Sequence, residues 1–190
     1  VDTGERTAGG FPLEWKLTSI RPLFLTGSYE GRPYRDPVTQ KVYILNDHGK
    51  TAAKNNVCIW SRELLGPTQP APTEVPLICP GPWDAARQDW DVLSPYPTEV
   101  RFPDGGGIVE GSWVFYSAAQ SLYYVFYSSG AYESPDKYGS QVATCRGLQG
   151  PCTKVLAGGD VPNIIPGATT VSPALSYYMM GRPLPIIVDG

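Results

Sequence analysis

Twenty prolines and 21 glycines interrupt this chain, and the runs they leave intact are rich in β-branched and aromatic residues: KVYILNDH, VCIWSREL, SWVFYS and SLYYVFYSS. Proline in a helix interior removes a hydrogen bond and clashes with the preceding turn, and glycine weakens a helix by its backbone entropy. Val, Ile, Tyr, Phe and Trp instead fit the half-buried surface of a sheet. The fold class expected is therefore all-β, with short antiparallel strands joined by turns. Residues 41–65 and 113–146 should be rich in strand, with Tyr43, Trp60, Tyr124 and Phe126 supplying buried faces. The 190 residues are read as a single domain, 1–190, a length that supports one core.

Charge narrows the partners. Fifteen basic residues stand against 18 acidic ones, and no Lys/Arg cluster occurs, so the electrostatic footprint of a nucleic-acid binder is missing. Apolar runs such as WVFY and YYVFY fall far short of the ~20 residues a membrane-spanning helix needs, so no membrane partner is expected and the protein is read as soluble. The four cysteines lack a CxxC, and the one histidine is His48, so no metal site and no cofactor is expected. In CRGLQGPC, Cys145 and Cys152 are close enough in sequence to bridge a turn, which would leave Cys58 and Cys79 as the second pair; buried free thiols are the alternative. An even cysteine set favours a secreted, extracellular protein. The opening VDTGERTAGG carries neither Met nor an apolar leader and is read as a processed form or an expression piece.

Two segments resemble each other. KVYILN, a polar connector and CIWSRELLGPTQP are matched by LYYVFYSS, a polar connector and QVATCRGLQGPCTK. Such a repeated β-meander is the pattern of propeller blades or of sandwich hairpins. The blade-like units cover about 27–70 and 108–156. Between them, residues 67–107 form a proline-rich surface insertion, with a strand around EVPLI and a helical turn near WDAARQDW. EWKLTSIRPLFL should add one or two strands, and residues 160–190 an incomplete blade.

No GxSxG, HExxH or phosphate- or dinucleotide-binding fingerprint is present, and His48 in NDHGK reads as a turn residue. Carboxylates remain. Glycoside hydrolysis needs two, one protonated to donate to the leaving oxygen and one ionised to activate water or attack carbon. In GGGIVEGSWVF, Glu110 is flanked by Ile108, Val109 and Trp113, surroundings that would desolvate it and favour its protonated form. The alternative is a glutamate on the solvent side of a strand.

IVEGSWVF, LYYVFYSSGAYES and YGSQVATCRGLQGPCTK, taken in order, resemble the acid-bearing blade of glycoside hydrolase family 43. GSYEGRPYRDPVTQKVYILN resembles that family's preceding blade, CIWSREL its next strand, and GGDVPNIIPGATTV the start of a following blade in fungal members; the likeness spans about residues 27–171. It implies a five-bladed β-propeller around a carbohydrate-binding pocket, partial or truncated here, and inverting hydrolysis by three acids. Glu110 falls on the general acid. Glu30, in SYEG, falls where the family has the aspartate that tunes that acid, and Asp36 on a turn aspartate of structural character. The family's general base has no counterpart in residues 1–26, and its last-blade histidine none in IIPGATT; Ser112 stands in place of the usual proline. Asp36 and Asp47 are the first places to look for a base.

The activity so implied is hydrolysis of arabinose- or xylose-containing plant carbohydrate (arabinan, arabinoxylan or xylo-oligosaccharide), slowed by the missing base. Trp113 and Tyr132 would stack on sugar faces. A non-catalytic carbohydrate-binding relative and a structural propeller fragment are the alternatives. The hydrolase expectation requires Glu110 and Glu30 to sit at the inner ends of neighbouring blades and to face one pocket.

Overall fold

The computed structural model describes residues 29–66, 69–131 and 138–156. Strand expectations for EWKLTSIRPLFL and residues 160–190, and the sugar contact expected of Tyr132, lie outside the described residues. Within them every regular element is a strand, as the proline and glycine punctuation requires.

The first sheet is built from β1 (Tyr29–Arg35), β2 (Val42–His48), β3 (Cys58–Gly66) and β4 (Gln69–Pro70), paired in that order, and β5 (Val75–Ile78) joins it along β3. A two-stranded ribbon follows, β6 (Trp83–Asp84) with β7 (Asp89–Trp90). The second sheet is a four-stranded meander of β8 (Val109–Ser117), β9 (Leu122–Ser129), β10 (Gly139–Cys145) and β11 (Thr153–Lys154). All the paired strands run antiparallel. Among the described residues the two blade-like sheets stay open and form no closed ring.

One apolar core joins the sheets. Tyr43 and Leu45 of β2, Ile59 of β3 and Leu77 and Ile78 of β5 pack with Val109, Val114, Tyr123, Val125 and Tyr127 of β8 and β9. On β9 the buried aromatics are Tyr123 and Tyr127, whereas Tyr124 and Phe126 are only partly covered. The expected face is therefore corrected by one residue. Successive side chains of a strand point to opposite sides, and YYVFY places an aromatic residue on both, so the pattern alone does not choose. Tertiary contacts choose: the Tyr123 hydroxyl donates to Asp36 Oδ1 at 2.7 Å, across the sheets. Asp36 also accepts from the Val38 amide and the Thr39 hydroxyl in its own turn. Burial opposes its charge, but these hydrogen bonds outweigh that and hold its carboxyl below the ordinary range. Asp36 is thus a turn-forming and sheet-joining residue.

Trp60 is likewise half-buried, its ring stacked 4.4 Å from that of His48. His48 closes β2 and meets Glu74 Oε1 at 2.9 Å. The helical turn expected near WDAARQDW is a tight hairpin instead. Trp83 pairs with Trp90 across it, edge to face at 5.5 Å, and Asp84 accepts the amides of Ala86 and Arg87 in the turn. Helix-forming residues at the tip are overridden by the cross-strand pair.

Both disulfides form. Cys145–Cys152 joins β10 to the segment before β11, with Cα atoms 4.4 Å apart, and Cys58–Cys79 ties β3 to the insertion at 4.3 Å. The insertion is pinned further by a buried ion pair, in which Lys154 Nζ lies 2.5 Å from Glu99 Oε1 and 2.8 Å from the Gly81 carbonyl.

The glycine run before β8 has a steric cause. Here the chain passes against the loop preceding β3: the Val57 amide donates to the Gly107 carbonyl and the Val109 amide to the Val57 carbonyl, each at 3.1 Å. A Cβ on Gly106 would sit 1.6 Å from the Asn55 carbonyl oxygen, and one on Gly107 would sit 2.6 Å from Pro80 Cβ. This contact feeds the chain into β8 and so places Glu110. Gly106→Ala should destabilise the fold by about 2 kcal/mol or more, because backbone must move to admit the methyl group. Chemical denaturation checks it; an unchanged midpoint would contradict the close approach.

Candidate functional site

Two β-bulges face each other across the seam between the sheets. In β1, Tyr29 is opposite Asp47 and Arg32 opposite Leu45, so Glu30 and Gly31 share the space of one partner residue. In β8, Glu110 is opposite Ser128 and Trp113 opposite Phe126, so Gly111 and Ser112 do the same. A bulge bends its strand and re-aims the side chains beside it. Glu30 takes a left-handed backbone, φ 53°, and Gly111 takes φ 67°. For glutamate that conformation costs of order 1 kcal/mol, and such strain collects at functional positions.

Asp47 lies between the bulges. It is 1% exposed, and its Oδ2 accepts the Gly111 amide at 2.9 Å. Its Oδ1 is buried and has no hydrogen-bond partner among the described residues. Burial pushes its carboxyl well above the usual range, the Gly111 bond and Arg32 oppose this, and the charges of Glu30 and Glu110 add to it. Glu30 and Glu110 thus both act on one buried carboxyl.

Tyr138 gathers the same two acids from the other side. Its hydroxyl donates to Glu110 Oε1 at 2.7 Å. Its phenol is pushed up by burial first, then by that bond and by the charge of Glu110, with a smaller contribution from Glu30, while a hydrogen bond with Ser128 works against the rise. Ser128 is itself the β9 partner of Glu110 and fully buried. The structure therefore assembles Glu30, Asp47, Glu110 and Tyr138 from β1, β2, β8 and the residue before β10.

Trp113 is 40% exposed and borders a small cavity at the seam, about 60 Å³, with Arg32, Pro33, Tyr34, Leu45 and Ser112. That volume holds a few waters. A larger cleft of about 370 Å³ lies elsewhere, walled by Trp83, Trp90, Tyr96 and Leu156, with the Lys154 ammonium 5.1 Å from the Trp90 and Tyr96 ring centres. Glu30 and Glu110 line neither of these cavities, so the one pocket that both were expected to face is neither of the two. Among the described residues no group of His, Cys, Asp and Glu is arranged to hold a metal ion.

Sequence reasoning reached Glu30 and Glu110, and reached Asp47 only as a place to look for a base. It missed Tyr138 and Ser128. Nothing local in YILND marks Asp47 as buried, and nothing in KYGSQ marks Tyr138.

No known family profile matches the sequence, and no curated protein matches it. Solved structures to which the chain is similar include the crystal structure of a GH43_12 retrieved from a capybara gut metagenome, at 17% sequence identity and a TM-score of 0.46, covering 66% of this chain and 20% of that one. The chain thus spans about a fifth of the length of that solved structure.

Asp47 makes stability depend on pH with a definite sign. A carboxyl whose folded-state pKa is raised contributes stability that is full below its unfolded value, about 4, and is lost as pH rises through the folded value. Asp47→Asn keeps an acceptor for the Gly111 amide and removes the charge. Its melting temperature relative to the unsubstituted protein should rise as pH increases from 4 and level off above the folded value of Asp47; a difference constant from pH 4 to pH 8 would show that Asp47 is not held above the ordinary carboxylate range.

Proposed function

We propose that this chain is a glycoside hydrolase of inverting acid/base type, acting on arabinose- or xylose-containing plant polysaccharides or oligosaccharides, with Glu110 as general acid. The observation that carries this reading is the placement of Glu30 and Glu110 on bulges of two separate sheets, with Asp47 bonded beside both and Tyr138 bonded to Glu110. Structural carboxylates are normally placed beside cations or amide donors, as Asp36 and Glu99 are here. Drawing acids together raises the energy of the folded state, and glycosidic cleavage is a chemistry that uses such a pair.

In this mechanism Glu110 gives its proton to the glycosidic oxygen as the bond breaks. Tyr138 fixes the other carboxyl oxygen, so the proton is presented from a defined direction. In this reading Glu30, on the facing bulge, has the part of the tuning acid. Inversion also needs a base across the sugar, roughly 6.5–9.5 Å from the acid. Asp36, held by Val38, Thr39 and Tyr123, is committed to its turn, and Asp47 is buried beneath the bulge. Neither is presented to solvent. The two disulfides suit an oxidising compartment, which supports a secreted protein.

A second reading, carbohydrate binding without cleavage, is favoured by Trp113, whose exposed indole beside the seam offers a stacking face. The two separate in one assay. With nitrophenyl α-L-arabinofuranoside and β-D-xyloside, turnover should be slow for want of a base, and Glu110→Gln should lower it further by about 10²-fold or more on unactivated leaving groups. The loss should shrink with a dinitrophenyl leaving group, which needs less protonation. Saturable sugar binding with no cleavage in either protein would establish the binding reading, and cleavage unaffected by Glu110→Gln would remove Glu110 from the mechanism.

A further inference from the structure

We propose that Asp47 is a positioning residue that locks the β1 and β8 bulges to each other and thereby fixes Glu30 against Glu110. The proposal rests on reading those two glutamates as the functional acid pair. Its geometry is independent of that reading.

Asp47 touches both bulges by backbone relations. It is the β2 partner at the last matched pair before the β1 bulge, opposite Tyr29 and so adjacent to Glu30. Its Oδ2 holds the Gly111 amide, the peptide unit that follows Glu110. A shift of either bulge along its strand would therefore move one glutamate relative to Asp47 and through it relative to the other. The bond also lies entirely inside the protein, where it is stronger than it would be in water.

An asparagine would make the same hydrogen bond at lower cost, since it carries no charge to bury. The presence of a titratable group points to a role beyond holding Gly111. The charged groups that face Asp47 are Glu30 and Arg32 from β1 and Glu110 from β8. Burial first, and then these two acids against one cation, favour a neutral Asp47. Burial of Oδ1 with no partner among the described residues agrees with a site that does not hold a permanent charge. The amide of Gly111 is the natural reporter of Asp47, being bonded directly to its carboxyl.

The test follows the Gly111 amide proton and nitrogen shifts by NMR from pH 4 to pH 8 in the unsubstituted chain and in Glu30→Gln, Glu110→Gln, Asp47→Asn and Glu63→Gln. Glu63 serves as a remote control, pairing with Lys41 on the exposed side of the first sheet. The proposal expects a Gly111 titration centred above the ordinary carboxylate range. Its midpoint should fall by roughly 0.5 unit or more in each of Glu30→Gln and Glu110→Gln, and stay in place in Glu63→Gln. Asp47→Asn should abolish it while leaving the other β8 and β9 amides at their original shifts. A Gly111 amide that does not titrate, or a midpoint that neither glutamine substitution moves, would show that Asp47 does not stand between the two glutamates and would overturn the proposal. No sugar and no turnover enters the measurement, so failure of the hydrolase reading would show in the cleavage assay and not here.

Discussion

The bond from the Gly111 amide to Asp47 Oδ2 is the one polar contact on which the arrangement of the site depends. The apolar core can hold two sheets together without deciding their register, because packing of Val, Leu and Tyr faces tolerates small slides. A hydrogen bond buried between strand β2 of one sheet and the bulge of β8 in the other does not tolerate them, since a lost partner leaves a buried donor at a cost of about 1–3 kcal/mol. The Val57 and Gly107 contacts lead the chain to the same place from the N-terminal side of β8. Glycines at 106 and 107 keep that approach close, and the glycine at 111 lets the bulge turn. An acid standing just after a glycine run is thus explained by where the backbone has to pass.

Two buried charges of opposite design mark the two ends of this architecture. Glu99 is completely buried and Lys154 is 4% exposed, yet each has the other, with the Gly81 and Tyr96 amides on the carboxylate and two aromatic faces on the ammonium. That pair fastens the insertion to β11, and breaking it by removing one partner costs about 3–5 kcal/mol. Burial pushes Glu99 up and Lys154 down while their mutual attraction opposes both shifts. Asp47, by contrast, has two glutamates acting against it and the Arg32 guanidinium acting for its charge. The first arrangement serves cohesion. The second is costly for cohesion and intelligible as chemistry.

Much of the fold was legible because proline and glycine act locally. The strands at KVYILN, CIWSREL, WVFY and YYVFY and the strand at EVPLI follow from residue types and spacing; the short CRGLQGPC loop points to Cys145–Cys152, whereas in the sequence Cys58–Cys79 is only the pair left over, with free thiols still open. Where the pattern failed, a longer-range partner decided. YYVFY presents aromatics to both faces, and the Tyr123 contact with Asp36, 87 positions away, selects one. AARQ suits a helix, but Trp83 and Trp90 close a hairpin around it. At the site, Glu110 could be read from its apolar flanks and from a family likeness, and Glu30 from the likeness alone. Asp47 looks like an ordinary residue at a strand end until the second sheet covers it. Tyr138 could not be read at all, since its partner Glu110 lies 28 positions away with no local signal to join them.

The proposed reading puts the sugar at the seam between the two sheets. A crystal structure with a bound arabino- or xylo-oligosaccharide tests it most directly. The account predicts a glycosidic oxygen within hydrogen-bonding reach of Glu110, about 2.6–3.2 Å, with Glu30 on the same ligand or one water away and the Trp113 indole against a sugar face. Sugar density confined to the aromatic cleft of Trp83 and Tyr96, with the seam still closed over Glu110, would contradict it.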